Sequence, residues 1–120
     1  MERVSSFEHG GTSMVMIDFS GSGPKEVLAI IGQAAPVIRS RSLKSIATIV
    51  KVDGASFDSD VISALKDFAK GNEPHVSRSA IVGLTGMQRI VLSAVSYFTG
   101  RSFQLCGSVE EAKNRLSASA

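Results

Sequence analysis

The sequence predicts an α/β fold with a mostly parallel sheet, and three observations carry that prediction. The run from Ser79 to Phe103, SAIVGLTGMQRIVLSAVSYFTGRSF, reads as strand, glycine turn, helix, glycine stop and strand. Elsewhere, short apolar runs alternate with helix-periodic stretches at short spacing, which requires parallel pairing through right-handed crossovers. The 120 residues are 43% hydrophobic and 20% charged, ordinary values for a globular chain long enough to bury its own core. Residues 1–120 are therefore read as a single domain, with a 4–5 stranded sheet and about four helices.

The elements follow in order. Arg3 to Phe7 reads as an edge strand, and Glu8-His9-Gly10-Gly11 as a turn. Met14 to Phe19 (MVMIDF) is a firmer strand, followed by the loop Ser20-Gly21-Ser22-Gly23. Pro24 suits the first position of a helix, where its missing N–H costs nothing. The stripe Val27, Ile30, Ile31, Ala34 and Ile38 carries that helix to about Arg39. Pro36 lies inside it and predicts a break near Ala35.

Ser45 to Val52 (SIATIVKV) is the next strand. Asp58 is a good N-cap for a second helix, and Phe57 before it can staple onto Ile62. Val61, Ile62, Leu65, Phe68 and Ala69 face the core, and Gly71 is expected to close the helix. His75 to Gly83 is a third central strand. Thr85 and Gln88 then form a capping box, and Met87, Ile90, Val91, Ala94, Val95 and Phe98 form the helix stripe. Gly100 ends it, Phe103 to Cys106 is a last strand, and Ser108 with Glu111 is a second capping box, opening a helix through Leu116. The expected core is Val15, Ile17, Ile46, Ile49, Val50, Leu65, Phe68, Ile81, Val82, Ile90, Val91, Val95 and Phe98.

The charge balance argues against several function classes. Thirteen basic and eleven acidic residues give +2, too little for a nucleic-acid partner without a clustered basic face. The N-terminus lacks the apolar stretch of a signal peptide, and no run approaches the ~20 apolar residues of a transmembrane helix. Cys106 is the only cysteine and reads as a small buried hydrophobe in a reducing, cytoplasmic setting. His9 and His75 lack carboxylates at metal spacing, and no H-E-x-x-H, G-x-S-x-G or cysteine cluster occurs. Neither Gly21-Ser22-Gly23 nor Gly83-Leu84-Thr85-Gly86 completes a nucleotide fingerprint. No metal, no cofactor and no catalysis are therefore expected.

The strand–helix order, Val52-Asp53 before the loop into the second helix, and the run SAIVGLTGMQRIVLSAVSYFTGRSFQLCGSVEEAKNRL resemble the small bacterial SpoIIAA-like proteins. These are related to STAS domains and share their fold with the lipid-binding Sec14 (CRAL-TRIO) domain. The resemblance covers about residues 13 to 116 and implies a (βα)n superhelix. In the anti-sigma-factor antagonists of this group, a serine opening the second helix is phosphorylated within a pattern close to Asp-Ser-Ser-Gly. Asp58 and Ser59 match that pattern, whereas Asp60 and Val61 depart from it. The resemblance thus implies Ser59 as a phosphorylation site. The residues by themselves support a plainer reading, that Asp58 and Ser59 cap and open a helix.

Two functions follow as expectations. One is a non-enzymatic regulatory or interaction module of STAS type with a protein partner. The other is a Sec14-like carrier of a lipid or other apolar small ligand, which requires a cavity of ~300 Å³ or more. In an open parallel sheet, binding falls at the carboxyl ends of the strands. The loops there are Ser20 to Gly23, Asp53 to Ser59, Leu84 to Gly86, and Gly107-Ser108. The candidate ligand- or partner-binding residues are Gly83, Leu84, Thr85, Gly86, Asp53, Asp58 and Ser59. Helix N-termini favour anions, and the aspartates place any bound anion near Leu84 to Gly86. Met14, Met16, Met87 and Tyr97, as spare hydrophobes, suggest a homodimer.

Overall fold

The computed structural model describes residues 2–100 and 103–117. Five strands form one sheet in the order β1-β2-β3-β4-β5: β1 Val4–His9, β2 Thr12–Asp18, β3 Ile46–Lys51, β4 Val76–Val82 and β5 Gln104–Cys106. β1 runs antiparallel to β2, and the three other pairings are parallel. The expected parallel pairing of the third and fourth strands is thus present, with Val50 opposite Ile81.

Strand alternation gives the sheet two apolar faces. On one, Val15, Ile17, Ile46 and Ile81 meet α1 (Pro24–Arg39) and α2 (Ser59–Asn72), and α3 (Gly86–Thr99) lies against α2. On the other, Met14, Ala47, Ile49, Ala80, Val82 and Cys106 meet Ala112 and Leu116 of α4 (Val109–Ser117). Full burial of each large apolar side chain contributes about 1.5–3 kcal/mol.

Several expectations change. α1 passes through Pro36 without a break. The carbonyl that a residue at 36 would normally satisfy belongs to Gly32, and both residues are exposed, so water can serve it. Gly71 does not close α2, which runs on to Asn72 and into a short 3-10 turn, Glu73–His75. The glycine has a different role: a Cβ there would strike the Arg39 guanidinium, whose Nε donates to Asn72 Oδ1 at 3.2 Å.

Ile90, expected in the core, is 68% exposed, and Tyr97, one of the spare hydrophobes, is 94% exposed. The inward face of α3 is instead Gln88, Val91, Leu92 and Val95. A polar residue sits on that face because its amide serves buried carbonyls, which hydrophobic periodicity does not register. Met14, read as a spare surface hydrophobe, is fully buried. The side chains of Phe98 and Met87, named in the expected core and interface, lie outside the described residues, as does the tail 118–120.

Candidate functional site

Three of the four loops expected at the carboxyl edge of the sheet are bonded into one surface. Gly21 N–H donates to Asp53 O at 2.8 Å and Ser56 N–H to Ser22 O at 2.9 Å, joining the β2–α1 and β3–α2 loops. Gln88 Nε2 donates to Val52 O at 2.8 Å and to Ala55 O at 3.0 Å, joining the first turn of α3 to the same β3–α2 loop. Gly83 sits at φ +86° with the Asp53 carboxyl where a Cβ would stand. Only a glycine meets both the left-handed backbone and that approach. Gly107 and Ser108 bond within their own turn: Gly107 N–H donates to Glu111 Oε1 at 2.9 Å, and Ser108 Oγ accepts from Glu111 N–H at 3.1 Å.

Each predicted site residue can now be placed. Asp53, Asp58, Ser59, Thr85 and Gly86 are exposed, and Gly83 and Leu84 are half-buried. Asp58 caps α2 by accepting from Val61 N–H at 2.8 Å, which leaves Ser59 as the first helical residue. The α3 capping box is formed as expected, with Thr85 N–H bonded to Gln88 Oε1 at 3.0 Å. Two of the three helix starts on this face are therefore capped by their own side chains, whereas α1, beginning after Gly23, has no side-chain cap. Lys51 Nζ lies 3.2 Å from Asp53 Oδ1, an exposed pair of the kind that contributes at most about 1 kcal/mol. The edge keeps Asp58 and Asp60 in solvent, and its charge is mainly negative.

Gln88 was legible only in part. The T-x-x-Q spacing shows its oxygen as a cap partner, but nothing in the sequence shows where its Nε2 goes.

Among the described residues, no group of three or more His, Cys, Asp or Glu side chains could hold a metal ion. His75 Nδ1 is bonded to Arg41 O at 2.7 Å, and His9 Nε2 to Asn114 Oδ1 at 3.2 Å. Cys106 is buried, and burial, helped by the Glu111 carboxylate and opposed by Arg115, raises its thiol pKa. Among the described residues, no helix is long and apolar enough to cross a membrane.

Beneath α3 lies a cavity of about 90 Å³, bounded by the sheet, α2 and Phe103. Its lining is apolar except for the Thr48–Ser79 hydroxyl pair (2.7 Å) and the Asn72 and Gln88 side chains. The molecule is an α/β protein with a mostly parallel sheet and a hydrogen-bonded carboxyl edge. No protein-family model matches the chain, and no curated protein matches its sequence.

Proposed function

We propose that this protein is a non-enzymatic regulatory or interaction module of the STAS, SpoIIAA-like type, which meets a protein partner at the carboxyl edge of its sheet. The observation that carries the reading is the bonding of the loops around Ser22, Asp53 and Gln88 into one surface, with Asp58 and Ser59 exposed beside it. A preorganised surface loses little conformational entropy on association. Its aspartates suit a basic patch on a partner better than a phosphate-bearing ligand. Ser59, first in α2, is placed where an added phosphate would meet the helix dipole favourably, although the nearby Asp58 and Asp60 oppose it. Phosphorylation at Ser59 would therefore change the charge of the partner face rather than stabilise the fold.

The second reading, an apolar-ligand carrier, draws on the cavity beneath α3. At about 90 Å³ it falls well short of the roughly 300 Å³ at which ligand pockets begin, so the module reading is preferred.

The test is site-directed photo-crosslinking of the full chain in its own host. A photoreactive residue at Ser59 or Asp53 is expected to give one discrete heteromeric adduct, and the same probe at Glu110 on α4 none. Adducts from Glu110 alone, or none from any position, would overturn the proposal.

A further inference from the structure

Arg78 is the third residue of β4, and the register of the sheet has been altered to place it. Ile46 lies opposite Val76 but Ala47 lies opposite Arg78, so Ser77 is an extra residue in the strand. Such bulges re-aim the side chains that follow. Here the bulge sets Arg78 on the face of Ala47 and Ala80, and Gln104 stands opposite Ala80. With the Gln104 amide oriented so that its oxygen faces the guanidinium, Oε1 accepts from Arg78 Nε at 3.2 Å and from Nη2.

The third nitrogen is left over. Arg78 Nη1 is buried and has no hydrogen-bond partner. The ion pairs among the described residues engage Arg3, Lys44, Lys51, Lys113 and Arg115, and none engages Arg78. A lysine so placed could shed its proton, but a guanidinium stays charged. Buried charges without a counter-charge are costly and correspondingly rare, so an orphaned arginine nitrogen points to an absent acceptor.

The surroundings have room for one. β5 pairs with Ala80, Ile81 and Val82, so among the described residues the first half of β4 has no strand on that side. A cleft of about 410 Å³ opens there, and its lining includes Ser77, Arg78, Gln104, Lys44 and Glu73. Lys44 is held at φ +52°, with its N–H on Pro74 O at 2.9 Å. Its ammonium donates to Glu73 O at 3.0 Å and Val76 O at 3.4 Å, and lies 3.9 Å from Glu73 Oε1. Among the described residues, the charged groups lining the cleft are two cations, Arg78 and Lys44, and one anion, Glu73.

We infer that this cleft, at the end of the sheet opposite the carboxyl edge, binds an oxyanion, a carboxylate or phosphate group of a small molecule, with Arg78 as its principal contact. Gln104 holds Nε and Nη2 of the guanidinium, and Arg78 lines the cleft. The Lys44 ammonium supplies the second positive charge. The inference is independent of the partner surface proposed above, which lies at the other end of the strands.

The test is NMR titration of the isotopically labelled full chain, at constant ionic strength, with sodium phosphate and separately with sodium acetate. Saturable shifts are expected at the Arg78 side chain, the Ser77–Ser79 amides and the Gln104 amide. A response to phosphate alone identifies a phosphate site, to acetate alone a carboxylate site, and to both a site that selects on charge. Binding should weaken at least tenfold in Arg78→Gln and be unchanged in Lys25→Gln. Arg78→Gln removes the orphaned charge and should fold; if it does not, Arg78→Lys should fold and still weaken binding several-fold. Thermal unfolding should show phosphate raising Tm in the wild type and not in the Arg78 variant. Absence of saturable shifts, shifts unaltered by both Arg78 variants, or shifts centred on residues 84–86 would overturn the assignment.

Discussion

Helices α1 and α3 follow β2 and β4 in the first and third βα units, carry similar apolar stripes, and pack differently. α1 buries Val27, Ile30, Ala34 and Ile38 at 2% exposure or less, against a continuous core. α3 is pinned at its first turn by Gln88, leaves Ile90 in solvent, and lies over a cavity. The difference originates in what lies beneath. α1 has the long strand β2 and the edge strand β1 below it. α3 lies over a floor of β3 and β4 residues that carries the Thr48 and Ser79 hydroxyls, and the sheet beyond it ends in β5, only three residues long. Within β5 itself, Leu105 on the α3 side is 40% exposed, whereas Cys106 on the α4 side is 8% exposed. An apolar stripe is enough to make a helix amphipathic, and the breadth of sheet below decides how much of it is buried.

The largest expected effect contrasts two isoleucines that the sequence treats alike. Ile30→Ala should cost about 2–5 kcal/mol, because it opens a void in a filled core. Ile90→Ala should stay within about 0.5 kcal/mol, as an exposed substitution does. Urea unfolding of both variants checks the pair, and equal losses would place α3 in a closed core like that of α1.

That pair also marks how far the sequence could be read. The alternation of strands and helices, the parallel pairing, the Asp58 cap and the Gly100 stop were all legible, since each depends on local periodicity or turn chemistry. The rotation of α3 was not, because it depends on Gln88 reaching carbonyls of Val52 and Ala55 that are distant in sequence. The passage of α1 through Pro36 depends on which side of the helix meets water. At the candidate site, the clustering of loops at the carboxyl edge followed from topology. The bonds that lock Gly21 to Asp53 and Ser22 to Ser56 run between backbone atoms, on which residue identity has little bearing. Arg78 left one visible trace, a cation inside the strand run VSRSAIV.

The hydroxyl pair on the cavity floor gives the next effect. Ser79→Ala removes the hydroxyl bonded to the buried Thr48 hydroxyl, at a cost of about 1–3 kcal/mol. Adding Thr48→Val should recover part of that loss, because the Thr48 hydroxyl that lost its Ser79 partner is then absent. A double variant less stable than Ser79→Ala would show that the pair is not isolated.

One added methylene should have opposite signs in the two regions. Val27→Leu overfills the α1 core and should destabilise by about 1–3 kcal/mol. Val95→Leu extends into the cavity and should stabilise by about 0.5–1 kcal/mol. Destabilisation of similar size in both would mean that the cavity does not accept the added group.

The smallest effect tests closure on the α4 side of β5. Burial raises the Cys106 pKa above the ordinary value of 9.0, so the folded protein retains the proton that the unfolded chain loses. Stability from this group is therefore complete below pH 9.0 and is lost as pH rises through the folded value. The fall in stability between pH 8 and pH 10 should be smaller in Cys106→Ala than in the wild type. Identical pH slopes would mean that the thiol is solvated.

The most direct measurement is native-state hydrogen exchange of the α1 and α3 backbone amides in the same sample. A helix over a closed core exchanges only with global unfolding, whereas a helix hinged above a cavity opens locally at lower free energy. The amides of α1 around Ile30 and Ala34 should therefore show the global free energy of unfolding. Those of α3 from Val91 to Ser96 should exchange at a free energy lower by about 1–3 kcal/mol, about 5- to 150-fold faster. Equal protection of the two helices, or greater protection of α3, would contradict the account.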